Sequence, residues 1–136
     1  MNVLSIQSQV VYGHVGNSAA AFVLQRQGHA VWQVPTVLFS NHLGKPTFRG
    51  RDVPAEQARD LVEGLKELGY LDDVDMLLTG YLGTPDTARL AKELAGLIRA
   101  QNPKAIFACD PVMGDDDELY VKPDLADAIA DELIQA

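Results

Sequence analysis

Short apolar segments alternate with helical patterns along the whole chain of 136 residues, and this alternation restricts the possible folds more than any other feature. The segments with the composition of buried strands are Val3–Ile6, Ala30–Phe39, Val74–Thr79 and Ala105–Cys109. Each is followed by a stretch typical of an alanine-rich or amphipathic helix. Parallel strands need a crossover connection, which is usually a helix. The alternation therefore predicts an α/β fold with a mainly parallel sheet and helices on both of its faces.

Proline and short polar residues locate some of the element boundaries. The first helix is expected over residues 19–27, with Asn17 or Ser18 capping its first turn. Pro35 is expected to interrupt the second strand or to lie at a sheet edge, because proline has no amide hydrogen for the ladder. Pro123 is expected to begin the last helix.

Four loops follow the predicted strands, and they define where a ligand would bind. In open sheets of this kind, ligands bind beyond the carboxyl ends of the strands. The loops in question are residues 8–17, 40–45, 80–84 and 110–118. The sequence therefore predicts a site on one rim of the sheet, built from these four loops.

Composition and charge exclude several classes of protein. Hydrophobic residues make up 47% of the chain and charged residues 22%, which is typical of one globular domain. The net charge of −8 argues against a nucleic-acid-binding surface, which needs a basic patch. No segment approaches the roughly 18 uninterrupted apolar residues of a membrane helix. The single cysteine, Cys109, excludes an internal disulfide. We therefore expect a cytoplasmic protein with no membrane or nucleic-acid partner.

Two of the rim loops carry residues suited to ligand binding. Residues 13–18 lead into a helix N-terminus, where free amide hydrogens favour a polar or anionic group, although a tight turn explains the same pattern. Asp110 and Asp115 follow the last strand, and a magnesium ion is commonly shared between one or two carboxylates and substrate phosphates. A solvated acidic loop, in which Asp110 only fixes a turn, is the alternative.

Several segments, taken in order, resemble the pyridoxal kinases of the ribokinase-like superfamily. The resemblance rests on Leu4–Ser8, Val11–Asn17, Val37–His42, Thr79–Gly83 and Cys109–Gly114. It covers almost the whole chain, yet it corresponds only to the N-terminal half of a family member. The resemblance implies that residues 1–136 are the N-terminal part of one ribokinase-like domain, a truncated three-layer αβα fold.

The resemblance also implies an activity and a set of site residues. The activity is the ATP-dependent phosphorylation of the 5'-hydroxymethyl group of pyridoxal, and of pyridoxine and pyridoxamine. Ser8 would hydrogen-bond the pyridine ring, and Asp110 and Asp115 would lie near the phosphates of ATP and their Mg²⁺ or a monovalent cation such as K⁺. A homodimer is implied as well. The walls of the substrate pocket would be Val15, Val37, Phe39 and Tyr81.

The chain departs from the family pattern in two places. Where the family has a threonine, then a small or polar residue and an aromatic one, this chain has Leu43, Gly44 and Lys45. Because leucine has no hydroxyl, we expect the recognition of the ring to differ at these substrate-binding positions, while Lys45 could meet a phosphate. The catalytic Asp of the family, in a Gly-x-Gly-Asp segment, has no counterpart among these residues. We therefore expect negligible turnover by these 136 residues alone.

Three other hypotheses remain open on the sequence. A sister kinase acting on hydroxymethylpyrimidine or another small alcohol would share the same motifs. A non-catalytic fragment that binds a vitamer or a partner protein would share them too. A flavodoxin-like or receiver-type domain fits the length of the chain but explains none of the motifs.

Overall fold

The computed structural model describes all 136 residues and contains a five-stranded, mainly parallel sheet. In spatial order its strands are β3-β2-β1-β4-β5, and only β3 runs antiparallel to its neighbour. The strands are β1 (Asn2–Tyr12), β2 (Ala30–Asn41), β3 (Gly50–Asp52), β4 (Met76–Thr79) and β5 (Ile106–Cys109). The predicted α/β class and parallel sheet are confirmed.

Helices flank the sheet on both faces, as predicted. Helix α1 joins β1 to β2 and packs on one face, where Asn17 meets Ser5. On the other face lie α2, α3 and the C-terminal helix, which packs against α3. None of these helices is long and apolar enough to cross a membrane. The bounds are α1 (Asn17–Arg26), α2 (Ala55–Glu67), α3 (Pro85–Gln101) and α4 (Pro123–Asp127), which continues as a π-helix over Ala128–Leu133; a 3₁₀ turn (Tyr70–Asp73) precedes β4.

The main core lies between the sheet and helices α2 and α3. Leu4 and Ile6 of β1 and Leu77 of β4 are buried there. Alternate residues of a strand point to opposite faces. The residues between these, such as Ser5, therefore face α1, which explains why β1 mixes apolar and polar residues.

An extra residue in β2 changes which side chains reach the ligand-binding rim. Ile6 pairs with Val34 and Val10 pairs with Phe39, so four residues of β1 correspond to five of β2. Without this bulge, which follows Pro35, Phe39 would point to the opposite face of the sheet. Strand β3 pairs only with residues 37–39, so Pro35 lies where β2 has no neighbour on that side. The expected edge position of Pro35 is confirmed, whereas β2 is not interrupted there.

The prediction that Asn17 or Ser18 caps helix α1 is wrong. The cap position is Gly16, and no side chain hydrogen-bonds the first turn. Asn17 instead donates to the backbone oxygen of Gln7, and Ser18 donates to that of Val10. Both side chains thus bind the helix to β1, because tertiary partners there compete with the local capping geometry.

One buried hydroxyl in the sheet has no hydrogen-bond partner. Thr79, at the end of β4, is completely buried, and its Oγ1 is unpaired. An unpaired buried hydroxyl costs about 1–3 kcal/mol, and valine has nearly the same shape without it. We therefore expect Thr79→Val to raise the free energy of unfolding by about 1 kcal/mol, measured by urea denaturation.

A second buried threonine provides the control. Thr36 is equally buried, but its Oγ1 donates to the backbone oxygen of Tyr81 at 2.6 Å. Thr36→Val should therefore lower the free energy of unfolding. Equal destabilisation by both substitutions would contradict the assignment of an unpaired hydroxyl at Thr79.

Candidate functional site

A cavity of about 670 Å³ lies beyond the carboxyl ends of the parallel strands. It is close to the point where the chain order reverses, since α1 leads from β1 to β2 on one side while β4 lies on the other side of β1. Ligands of doubly wound sheets bind at such a point. All four predicted rim loops contribute lining residues to this cavity, and ligand binding at the rim stays a prediction.

The structure brings together every residue that the sequence assigned to the site. Both the positions assigned to a substrate and those assigned to a nucleotide line the same cavity. They are Ser8, Val15, Val37, Phe39, Leu43, Gly44, Tyr81, Asp110 and Asp115. Lys45 is exposed and does not line the cavity.

One wall of the cavity is an apolar cluster separate from the main core. Val10, Val37 and Phe39 are buried in it, and Val15 and Tyr81 pack against them. The bulge in β2 produces this cluster by turning Phe39 to the same side as Val10. A flat, largely apolar ring would bury its faces well against such a wall.

The second side of the cavity is the turn between β1 and α1. Gly16 has a φ of 54°, and a Cβ atom built on it would overlap the backbone oxygen and Oγ of Ser8. The two residues can approach this closely only because position 16 is glycine. The backbone of Gly16 therefore packs directly against the Ser8 hydroxyl at the rim.

The third side of the cavity is acidic. Asp110 follows β5, and its amide donates to the backbone oxygen of Thr79. Asp115 lies in a hairpin whose strands are β6 (Gly114–Asp115) and β7 (Glu118–Leu119). Asp116 and Asp117 form the hairpin turn, with φ values of 48° and 64°, which aspartate tolerates better than most residues. Of this acidic run, Asp110 and Asp115 are the carboxylates that line the cavity.

The acidic side suits a cation that is shared with a ligand. No group of three or more His, Cys, Asp or Glu side chains is placed to hold a metal ion within the chain. Two carboxylates remain, and Mg²⁺ typically takes one or two carboxylates together with phosphate oxygens. Asp110 and Asp115 are the two cavity-lining carboxylates that could hold such an ion together with a phosphate-bearing ligand.

Two tyrosines at the cavity have raised pKa values. Burial raises the pKa of Tyr81 most, and the carboxylate of Asp52 raises it further. Burial also raises the pKa of Tyr120, with contributions from Asp115 and Asp110. Both side chains therefore stay neutral near pH 7 and can donate a hydrogen bond from the hydroxyl.

Sequence reasoning did not assign some of the lining residues to the site. Glycine-rich and acidic loops have compositions typical of ligand-binding loops, whereas a polar residue within an apolar strand has no pattern that distinguishes it from the rest of the sheet. The lining residues not individually assigned are Gln7 and Tyr120, outside the predicted loops, and Val10, Gly16, His42 and Val112, within them. The signal available for Gln7 was its position immediately before Ser8 in a buried strand.

Comparison with known proteins identifies relatives of the chain. No protein-family model matches it. Pyridoxal kinase PdxY of Corynebacterium diphtheriae is 51% identical over 114 residues, which are 84% of this chain and 40% of that protein. A pyridoxal kinase from Leishmania donovani, solved in complex with ADP and pyridoxamine, superposes with a TM-score of 0.88 at 42% identity. That match covers 93% of this chain and 46% of the Leishmania chain.

A different kinase shares the fold. A putative phosphomethylpyrimidine kinase from Bacteroides thetaiotaomicron superposes with a TM-score of 0.87 at 24% identity, over 99% of this chain and 46% of its own. This similarity supports the ribokinase-like architecture. The identity to the two pyridoxal kinases is much higher, at 51% and 42%. The chain is therefore a homologue of the pyridoxal kinases, and it corresponds to less than half of the length of the relatives it matches.

Proposed function

We propose that this chain forms the vitamer-binding side of a pyridoxal kinase. In the reaction, the 5'-hydroxymethyl oxygen of the vitamer bonds to the γ-phosphorus of ATP. The bond from that phosphorus to the β,γ-bridging oxygen of ATP breaks, ADP leaves with that oxygen, and the hydroxyl proton passes to a base. The observation that carries the proposal is that one cavity combines an apolar wall with two carboxylates, in a chain 51% identical over 114 residues to a pyridoxal kinase.

The apolar wall would bind the pyridine ring. Phosphoryl transfer depends mostly on positioning and charge neutralisation, so a slot that fixes the ring also fixes its hydroxymethyl group. Val15, Val37, Phe39 and Tyr81 would contact the ring, and the Ser8 hydroxyl would hydrogen-bond it. A solved relative in complex with ADP and pyridoxamine supports the presence of a vitamer-binding side and a nucleotide-binding side.

The acidic side would bind the nucleotide through a cation. Asp110 and Asp115 would hold Mg²⁺, which neutralises charge on the phosphates when it is bound. A K⁺ ion would bind near the same two carboxylates. These residues repel a bare triphosphate, so we expect them to favour the magnesium complex of ATP over the free nucleotide. Homodimer formation and a cytoplasmic location are proposed with the same function.

Leu43 and Gly44 modify the rim of the cavity. Leu43 is 40% exposed and lines the cavity, so it offers an apolar contact where the family pattern has a hydroxyl. We therefore propose that substrate affinity depends less on a hydrogen bond at position 43 in this chain than in proteins with a hydroxyl-bearing residue there. The Gly-x-Gly-Asp segment is absent from these 136 residues, so we expect them to bind vitamers without appreciable phosphoryl transfer.

Calorimetric titration with pyridoxine tests the proposal. Pyridoxine is the suitable vitamer because, unlike pyridoxal, it has no aldehyde to react with lysine amines. We expect saturable one-to-one binding, weakened about tenfold by Tyr81→Ala, because removing an aromatic wall loses roughly 0.5–1.5 kcal/mol beyond its area. The matched control is Tyr70→Ala, since Tyr70 is half exposed and packs on Trp32 outside the cavity. Failure of the folded chain to bind pyridoxine, or equal weakening by both variants, would contradict the proposal.

The sister activity on hydroxymethylpyrimidine is the second candidate. It is favoured by the fold shared with the putative phosphomethylpyrimidine kinase and by Leu43 at the rim. The same titration with 4-amino-5-hydroxymethyl-2-methylpyrimidine distinguishes the two. Tighter binding of the pyrimidine than of pyridoxine would favour this second candidate.

A further inference from the structure

Three buried polar side chains form a hydrogen-bonded ring at the base of the cavity. Gln7 Nε2 donates to Ser5 Oγ at 2.7 Å, and Ser5 Oγ donates to Asn17 Oδ1 at 2.8 Å. Asn17 Nδ2 then donates to the backbone oxygen of Gln7 at 3.2 Å. The three residues are 0%, 7% and 1% exposed in the order Ser5, Gln7, Asn17. Of the three, Gln7 lines the cavity.

The ring fixes the orientation of the Gln7 amide. A backbone oxygen only accepts, so the Asn17 amide must turn its nitrogen toward Gln7 O and its oxygen toward Ser5. Ser5 must therefore give its single proton to Asn17 and can only accept from Gln7. The Gln7 nitrogen consequently faces Ser5, and Gln7 Oε1 points away from the ring.

Gln7 Oε1 is an acceptor that the chain leaves free. It accepts no hydrogen bond, and it is not among the buried unpaired atoms, of which Thr79 Oγ1 is the one example. It is therefore open to the cavity that Gln7 lines. Gly80 leaves room for it, since a Cβ atom at that position would lie 2.6 Å from Oε1.

We propose that Gln7 Oε1 is a fixed hydrogen-bond acceptor for one hydroxyl group of the bound vitamer, and that Ser5 and Asn17 are the residues that position it. The inference rests on the proposed binding of pyridine vitamers in this cavity. Because the orientation is set before the ligand arrives, binding does not have to order the amide. An acceptor locked in this way selects ligands that present an O–H group and disfavours those that present only an acceptor.

A double-mutant cycle between ligand and protein tests the inference. The ligands are pyridoxine and its 3-deoxy, 4-deoxy and 5-deoxy analogues, each of which lacks one of the three hydroxyl groups of pyridoxine. We expect one of these analogues to bind the wild-type chain about tenfold more weakly than pyridoxine and to bind Gln7→Met as well as pyridoxine does. Gln7→Met keeps the length of the side chain and removes its amide. Ser5→Ala, which frees the amide to rotate, should weaken the same analogue difference.

The matched controls separate this role from general destabilisation. Gln9 is on the same strand, donates to Ser18 and does not line the cavity, so Gln9→Met should preserve the full analogue difference. Gly80→Ala, which crowds Oε1 without replacing Gln7, should reduce the difference in affinity between pyridoxine and that analogue. If pyridoxine binds and every analogue difference is the same in wild type and Gln7→Met, the inference is wrong while the proposed function stands. If pyridoxine does not bind the wild-type chain, the proposed function itself is wrong.

Discussion

Replacing Gly16 with alanine should lower the free energy of unfolding by about 3 kcal/mol and weaken pyridoxine binding by at least about tenfold. Two effects combine at this position. The φ of 54° combined with a ψ of −138° is a conformation that a residue with a Cβ rarely adopts, at a cost of roughly 1–3 kcal/mol. In addition, the new Cβ would overlap the backbone oxygen and hydroxyl of Ser8, so β1 or the turn has to move. Because Ser8 lines the cavity, that movement displaces a proposed ligand contact.

Gly28→Ala is the control for this prediction. Gly28 has a φ of 84°, but a Cβ atom there would have nothing within 4 Å. It should therefore show the backbone cost alone, about 1 kcal/mol, and bind pyridoxine normally. Urea denaturation and calorimetric titration measure the two quantities. If Gly16→Ala and Gly28→Ala behave alike in both, the close approach of Ser8 and Gly16 is not important.

Replacing Asn17 with alanine should also destabilise the chain by about 3 kcal/mol. Asn17 is 1% exposed and makes two buried hydrogen bonds, to Ser5 Oγ and to the backbone oxygen of Gln7. Removing its amide takes the acceptor from the Ser5 proton and the donor from the Gln7 backbone oxygen where water does not reach, and each lost partner costs about 1–3 kcal/mol. The substitution also releases α1 from β1, since these bonds join the helix to the strand.

Asn41→Ala is the control for Asn17. Its Nδ2 donates to the backbone oxygens of His42 and Thr47 in an exposed loop, where water replaces the lost partner. We expect less than about 1 kcal/mol of destabilisation there. A comparable loss of stability from both substitutions, measured by urea denaturation, would show that the buried ring contributes nothing special.

The fold was largely predictable because its signals are local. Apolar strands, amphipathic helices and prolines at helix starts each follow from side chains a few residues apart. Thr84, for example, accepts from the amide of Thr87 and precedes α3, which has Pro85 in its first turn, and both residues are typical of a helix start. The predicted strands and helices agree with the structure in type and order, although β1 runs to Tyr12, well beyond the predicted end at Ile6.

The departures occur where distant residues decide the outcome. The capping prediction for α1 is wrong because Asn17 and Ser18 find partners on β1, eight to ten residues earlier in the chain. The bulge in β2 depends on its pairing with β1, which no pattern within β2 reveals. The same limit applies to Gln7, whose amide is oriented by Ser5 and Asn17 through donor and acceptor rules that require the tertiary structure.

The most direct test of the account is to locate bound pyridoxine by isotope-filtered nuclear Overhauser spectroscopy on the methyl-labelled chain. The central claim is that the ring lies against the apolar wall between the turn after β1 and the end of β2. We predict Overhauser contacts from the 2-methyl protons and the single ring proton of pyridoxine to the methyl groups of Val15 and Val37. Bound pyridoxine with contacts to other methyl groups, and none to these two, would contradict the account.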